Sequence, residues 1–173
     1  MNNLFQKILN FFKSIFNFNL TDFSWIKTSK FIELDNIDVT EDPVRPELDV
    51  KWRTSHDRKI YGLEYNNQIE GIMCLAFTKD VPHSVRELDL MSRLAVYEQN
   101  ADTIIAYTVW SKKKGGGKLI VKEVFKKIKK SNHLNRLVTL SPLTEMATNF
   151  HERNGAKLIQ INETTQNFEY KVI

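Results

Sequence analysis

Cysteine is nearly absent from this chain: Cys74 is the one such residue among 173. No internal disulfide can form and no cysteine-based metal cluster can be assembled, so a reducing, cytoplasmic setting without a metal is the default expectation. Long apolar runs are missing too, and no transmembrane span is expected. Nor does the start carry the continuous apolar core and small-residue cleavage site of a secretory signal. The charge is only mildly uneven. A net charge of +4 favours an anionic ligand, and nucleic acid is not expected, because the lysines gather on one loop and helix without interleaved aromatics. With 42% hydrophobic and 27% charged residues, the composition is that of a globular chain with one sizeable core.

What is present divides at about residue 38. Within residues 1–20, Leu4, Phe5, Ile8, Leu9, Phe11, Phe12, Ile15 and Phe16 recur at helical spacing, with Lys7 and Lys13 between them and no acid. The spacing predicts an amphipathic helix whose face packs on the domain, meets a second copy in a homo-oligomer, or lies on an anionic membrane surface. Residues 1–38 are therefore read as this helix and a connector with a possible strand at Phe31–Leu34, and 39–173 as the main domain. Asp42 to Pro46 is extended or turn-like. Strands are predicted over Arg58–Tyr65 and Gln68–Thr78, joined by an Asn66-Asn67 turn. A helix over Asp80–Ala95 presents Val85, Leu88, Met91 and Leu94 on one face. Further on, Arg136–Leu140 is a strand, and Ser141-Pro142 is the expected start of a helix that stops at Asn154-Gly155. Ala156–Ile161 and Asn167–Ile173 form a closing hairpin.

At the centre lies Ile104 to Ile128. The β-branched and aromatic run Ile104–Trp110 is a strand. From Gly117 onward, Leu119, Ile120, Val124 and Ile128 mark the apolar stripe of a helix. Between them, Lys112, Lys113, Lys114, Gly115, Gly116 and Gly117 make a basic loop without acids. Such a loop is an anion site in outline. Glycines allow close backbone approach, the first helical turn offers free N–H groups, and the macrodipole adds about half a positive charge. A Walker A loop would need Ser or Thr where Leu119 stands, and the glycine spacing is not that of a dinucleotide-binding turn.

Lys112 to Gly117 instead resembles the Q/R-x-x-G-x-G/A signature of the GNAT acyl-CoA N-acyltransferase superfamily, with Lys at the first position. A second segment, Thr144 to Ala156, is similar to that superfamily's N-x-x-A-x-x-L/F-Y-x-x-x-G-F pattern, with Thr144 for the asparagine and His151 for the tyrosine that protonates the departing thiolate. Within the superfamily, the chain most resembles the C-terminal catalytic domain of malonyl-CoA decarboxylase. It shares Leu140-Ser141-Pro142, Asn149-Phe150-His151, Asn154-Gly155-Ala156, Ile161-Asn162, the asparagine-aromatic ending Asn167-Phe168-Glu169-Tyr170, Ala76-Phe77-Thr78-Lys79-Asp80 and the additional helix before the central strand. The resemblance spans about Pro43 to Tyr170.

The resemblance implies an α/β (α+β) GNAT fold. Its sheet is mixed and mostly antiparallel, with helices on both faces and a splayed central parallel pair. It implies a coenzyme A ester, malonyl-CoA or acetyl-CoA, as the small-molecule partner. The pyrophosphate would lie at Lys112 to Gly117 and the pantetheine arm along Tyr107, Thr108 and Val109. His151 carries over as the catalytic histidine. The family's catalytic serine aligns with Pro82, so Ser84 would serve only after a local shift. The readings left open are decarboxylation of a malonyl thioester, with His151 as proton donor, acyl transfer to an amine, and a non-catalytic CoA-binding or interaction protein.

Overall fold

A computed structural model describes residues 24–171. The amphipathic stretch 1–20 lies outside the described residues. Five helices and eight strands follow in chain order: α1 (Ser24–Thr28), β1 (Lys30–Leu34), α2 (Val50–Thr54), β2 (Lys59–Tyr65), β3 (Gln68–Thr78), α3 (Val85–Glu98), β4 (Thr103–Ser111), α4 (Gly116–Lys130), β5 (Arg136–Thr139), β6 (Ser141–Pro142), α5 (Glu145–Arg153), β7 (Ala156–Ile161) and β8 (Thr165–Tyr170). Among the described residues, no helix is long and apolar enough to cross a membrane.

The strands form one sheet in the order β1-β2-β3-β4-β5-β8-β6, with β7 pairing β8. Only β4 and β5 run parallel, so the mostly antiparallel sheet with one central parallel pair is the architecture expected. Local chemistry explains the turns. Asn66 and Asn67 both take positive φ, 50° and 60°, the geometry of a two-residue hairpin turn that asparagine tolerates well. Strand β1 is the sheet's edge beside β2, and Trp25 is buried in its core. Part of the expected connector is thus built into the folded unit.

The sheet separates two apolar layers. Beneath one face lie Trp25, Met73, Leu75, Ile120, Val121, Val124, Ile128 and Phe168. On the other lie Leu48, Ile60, Ile72, Cys74, Leu88, Ile105, Tyr107 and Leu140. Helix α4 covers the first with the stripe read from its spacing. Helix α3 differs from expectation. It runs from Val85 to Glu98 rather than from Asp80, and it buries Leu88, Ser92 and Ala95, whereas Leu94 is 52% exposed. Small residues face the sheet because Ser92 donates its hydroxyl to Leu88 O at 2.7 Å and needs no other partner. Hydrophobic ranking selects Met91 and Leu94; close packing selects Ser92 and Ala95.

The helix expected from Ser141 begins later, at Glu145, with Thr144 as its cap: Thr144 Oγ1 accepts from Ala147 N. Ser141 and Pro142 pair with Gln166 and Thr165 of β8 instead. The end is as expected, with Gly155 at φ 86° after the last turn. Strand β4 holds one irregularity. Opposite β3, Thr108 faces Cys74 and Ala106 faces Leu75, so Tyr107 is an extra residue, a β-bulge.

Candidate active site

The parallel ladder between β4 and β5 stops early. Its pairs are Thr103 with Arg136, Ile104 with Leu137, Ile105 with Val138 and Ala106 with Thr139; one more bond joins Leu140 N to Ala106 O. Beyond that, β4 continues through Tyr107 to Ser111 while the other arm turns away into β6. The bulge at Tyr107 bends β4 where the arms part. The fork opens into a cleft of about 520 Å³, walled by residues 106–111 of β4, by Ser141 and Pro142, by Met146, Ala147, Phe150 and His151 of α5, and by Pro43 and Val44. Thr108 is on the cleft wall, and its hydroxyl is buried without a hydrogen-bond partner.

His151 is placed by α5 near its C-terminal end and is 4% exposed. Its ring stacks on Phe168 with centroids 5.0 Å apart and meets Phe150 and Tyr170 edge-on. Nε2 lies 2.7 Å from Ser141 Oγ, and Nδ1 lies 2.9 Å from the Tyr170 hydroxyl. Ser141 Oγ also donates to Thr139 Oγ1 at 3.0 Å, which accepts from Phe168 N as well. One self-consistent arrangement therefore runs Tyr170 O–H to Nδ1, Nε2–H to Ser141 Oγ, and Ser141 O–H to Thr139. Burial pushes the imidazole pKa down to about 4, and the same cause pushes the Tyr170 hydroxyl above its ordinary value. Burial thus favours the neutral imidazole at pH 7.

The glycine loop closes the other end of the cleft. Gly115 has φ 85° and caps α4, whose first helical bond runs from Leu119 N to Gly115 O. The amides of Gly117 and Lys118 lie outside that ladder, as an anion site requires. A Cβ on Gly117 would come within 2.7 Å of the Phe150 ring, so this glycine lets α4 and α5 approach. Lys113 and Gly117 are on the cleft wall, whereas Lys112, Lys114 and Gly115 lie in the loop beyond it and Gly116 opens α4. Lys112 is ion-paired with Glu41, and Lys113 lies 3.6 Å from Glu70. Lys114 and Lys118 are exposed and make no ion pair among the described residues.

Of the residues singled out from sequence, Tyr107, Thr108, Val109, Lys113, Gly117 and His151 meet around one cleft. Ser84 does not join them. Its hydroxyl accepts from Glu87 N at 3.2 Å and caps α3, off the cleft wall. The serine beside His151 is Ser141, which sequence reasoning assigned to a helix cap; the Leu-Ser-Pro stretch was the signal available for it. Tyr170 lies in the asparagine-aromatic ending, whose sequence carries no sign of its contact with His151.

No family model and no curated protein matches the sequence. Solved structures do match the fold. Malonyl-CoA decarboxylase from Rhodopseudomonas palustris superimposes with a TM-score of 0.67 at 16% identity over 88% of this chain and 62% of that one. The Agrobacterium vitis malonyl-CoA decarboxylase is covered over only 36% of its length, so the chain corresponds to part of these enzymes. GphF, a GNAT-like decarboxylase solved with isobutyryl-CoA, matches over its whole length with a TM-score of 0.66 at 9% identity, covering 83% of this chain. A Bacillus subtilis acetyltransferase solved with CoA gives 0.58 at 13% identity, over 84% of this chain and 98% of its own. At these identities the likeness establishes the fold, which is that of the GNAT acyltransferases and malonyl-CoA decarboxylases.

Proposed function

We propose that the chain is a CoA-ester enzyme that decarboxylates a malonyl-type thioester. The observation that carries this reading is the Ser141–His151–Tyr170 relay at the fork of β4 and β5. A pantetheine arm laid along β4 beyond Ala106 would meet strand backbone freed from the ladder, with its pyrophosphate at the first turn of α4. The thioester would then lie at the fork, beside Ser141 and His151 on the cleft wall.

In the reaction the carbon–carbon bond to the substrate carboxylate breaks, its electron pair moves into the thioester as an enolate, and carbon dioxide leaves. The enolate carbon then needs one proton. In this reading Ser141 turns its O–H from Thr139 toward the enolate carbon and delivers it, with His151 replenishing the serine and Tyr170 holding the far nitrogen. Burial keeps His151 neutral in the free protein. A substrate carboxylate entering the same enclosed space favours the imidazolium and raises that pKa, so the acid is charged when it is required.

A second reading has its own support. A buried neutral imidazole is also what a base requires, and with an amine in the cleft His151 would accept its proton during acyl transfer. Incubation with malonyl-CoA and with acetyl-CoA plus amines, followed by product mass, separates the two. Carbon dioxide release with formation of acetyl-CoA is the expected result. Acylated amine without carbon dioxide release overturns decarboxylation, and unchanged esters point to a binding protein.

A further inference from the structure

A guanidinium sits between the arms of the fork. Arg45 follows Pro43 and Val44, which line the cleft, and is itself 8% exposed. Its Nε donates to Tyr107 O, on the bulged residue of β4, at 3.1 Å. Its Nη2 donates to Leu140 O, on the other arm, at 3.0 Å. The strand-to-strand ladder has ended by this point, and Arg45 supplies the next rung across a gap the strands no longer close themselves. A planar guanidinium can serve two carbonyls at once; an ammonium presents one nitrogen.

The bridge is anchored from behind. Asp42 Oδ1 accepts from the amides of Val44 and Arg45, at 2.8 and 3.2 Å. The other oxygen of Asp42 pairs with Arg53 Nη2 at 2.7 Å, both side chains being fully buried. Arg53 Nη2 also holds Arg45 O at 2.6 Å, and Arg53 Nη1 reaches Cys74 Sγ at 3.1 Å. Arg53 thus has a buried carboxylate partner, whereas the Arg45 guanidinium is held by two carbonyls and feels Glu47 and Asp42 without pairing with either. Desolvating the Arg45 charge is costly, and two carbonyl acceptors without an ion pair offset it only in part. The arrangement is better explained by what Arg45 holds than by its net contribution to stability.

We propose that Arg45 is the positioning residue of this site. It sets how far β4 and β5 part and fixes the Leu140–Ser141 peptide, so that Ser141 Oγ reaches His151. The effect on turnover rests on the decarboxylase reading; the effect on geometry does not.

The test uses Arg45→Lys, which keeps charge but cannot bridge both carbonyls, and Arg45→Met, which removes the donors. In folded variants, the imidazole nitrogen NMR signals of His151 should move toward those of Ser141→Ala. Saturated turnover of malonyl-CoA should fall ~10–100-fold, the scale of an ångström-level misplacement, while CoA itself binds within ~3-fold of wild type because its phosphate loop is elsewhere. Unmoved His151 signals in a folded Arg45→Lys overturn the proposal, as does loss of CoA affinity in step with loss of stability. If neither variant folds, the wild type decides. A slowly exchanging Arg45 Nε–H whose resonance shifts on CoA addition supports the bridge, and exchange as fast as that of exposed Arg86 refutes it. Should wild type turn over no CoA ester, the decarboxylase reading fails while the His151 signals still judge Arg45.

Discussion

At the glycine loop, charge faces water. Lys112 and Lys113 rest against Glu41 and Glu70, Lys114 and Lys118 stand exposed, and α4 opens without an acid in its first turn. At the fork, across the same cleft, His151, Ser141 and Tyr170 are nearly closed off from solvent and joined by short hydrogen bonds. A phosphate held at this loop, as proposed, would arrive as an anion and have to be exchangeable, which suits an exposed and adjustable site. Proton delivery, the role proposed for the fork, requires one geometry and little water, in keeping with that half being built into the core. Four experiments would sharpen this contrast or remove it.

The largest effect belongs to the fork. Ser141→Ala and His151→Phe should each reduce turnover of the preferred CoA ester by ~10²–10⁴-fold, and the double variant should be little worse than either, because the two act as a unit. CoA affinity, measured by calorimetry, should change little. A Ser141→Ala variant with full turnover would remove the serine from the relay.

Next comes the buried anchor. Asp42→Asn leaves Arg53 without its ionic partner in a fully buried position, and should lower unfolding free energy by about 3–5 kcal/mol in urea titrations. Loss below 1 kcal/mol would show that the backbone acceptors around Arg53 suffice.

The third concerns pH. The unfolded imidazole takes its proton near the ordinary 6.5, whereas the folded one resists until about 4. Between those values the unfolded chain binds more protons, so stability falls as pH falls, by up to about 3 kcal/mol for this one group. His151→Phe should flatten that part of the wild-type stability profile. An unchanged slope would place the titration elsewhere.

The smallest effect belongs to the exposed half. Lys114→Ala and Lys118→Ala should each weaken CoA binding ~2–5-fold, and the difference should shrink as salt is raised, since an exposed charge near a helix start contributes only a few tenths to one kcal/mol. Salt-independent losses would mean that these lysines act through packing.

The same contrast governed what could be read beforehand. Lys112 to Gly117 is contiguous, and its chemistry depends on backbone and local charge, so the strand, loop and helix were legible together. Asn66-Asn67 and Asn154-Gly155 were legible for the same reason, since a positive φ leaves its mark on residue choice. The fork is assembled from distant segments, Arg45, Tyr107, Thr139 to Ser141, His151 and Tyr170, and no spacing rule unites them. Ser141 shows the cost of local reasoning. Serine before proline is a good helix start in isolation, yet pairing with β8 and the neighbouring imidazole claimed it. Ser84, chosen by alignment to a motif, had the opposite fate and became the cap.

The bulge at Tyr107 carries one more consequence. Side chains along β4 alternate between the two layers, with Ile105 and Tyr107 in one and Ile104 and Ala106 in the other. One residue later the phase has reversed: Val109 packs with the layer of Ala106, and Trp110 with that of Tyr107. The bulge therefore sets two residues, Tyr107 and Thr108, against the single Cys74, and this arm of the fork is one residue longer than a regular ladder would need. Point substitutions cannot undo that offset. Deleting a single residue at 107 or 108 would give a regular ladder with Val109 and Trp110 still on their present layers, but it would remove the bend where the arms part and let the fork draw together, so this site is more vulnerable to a change in length than to a change in composition.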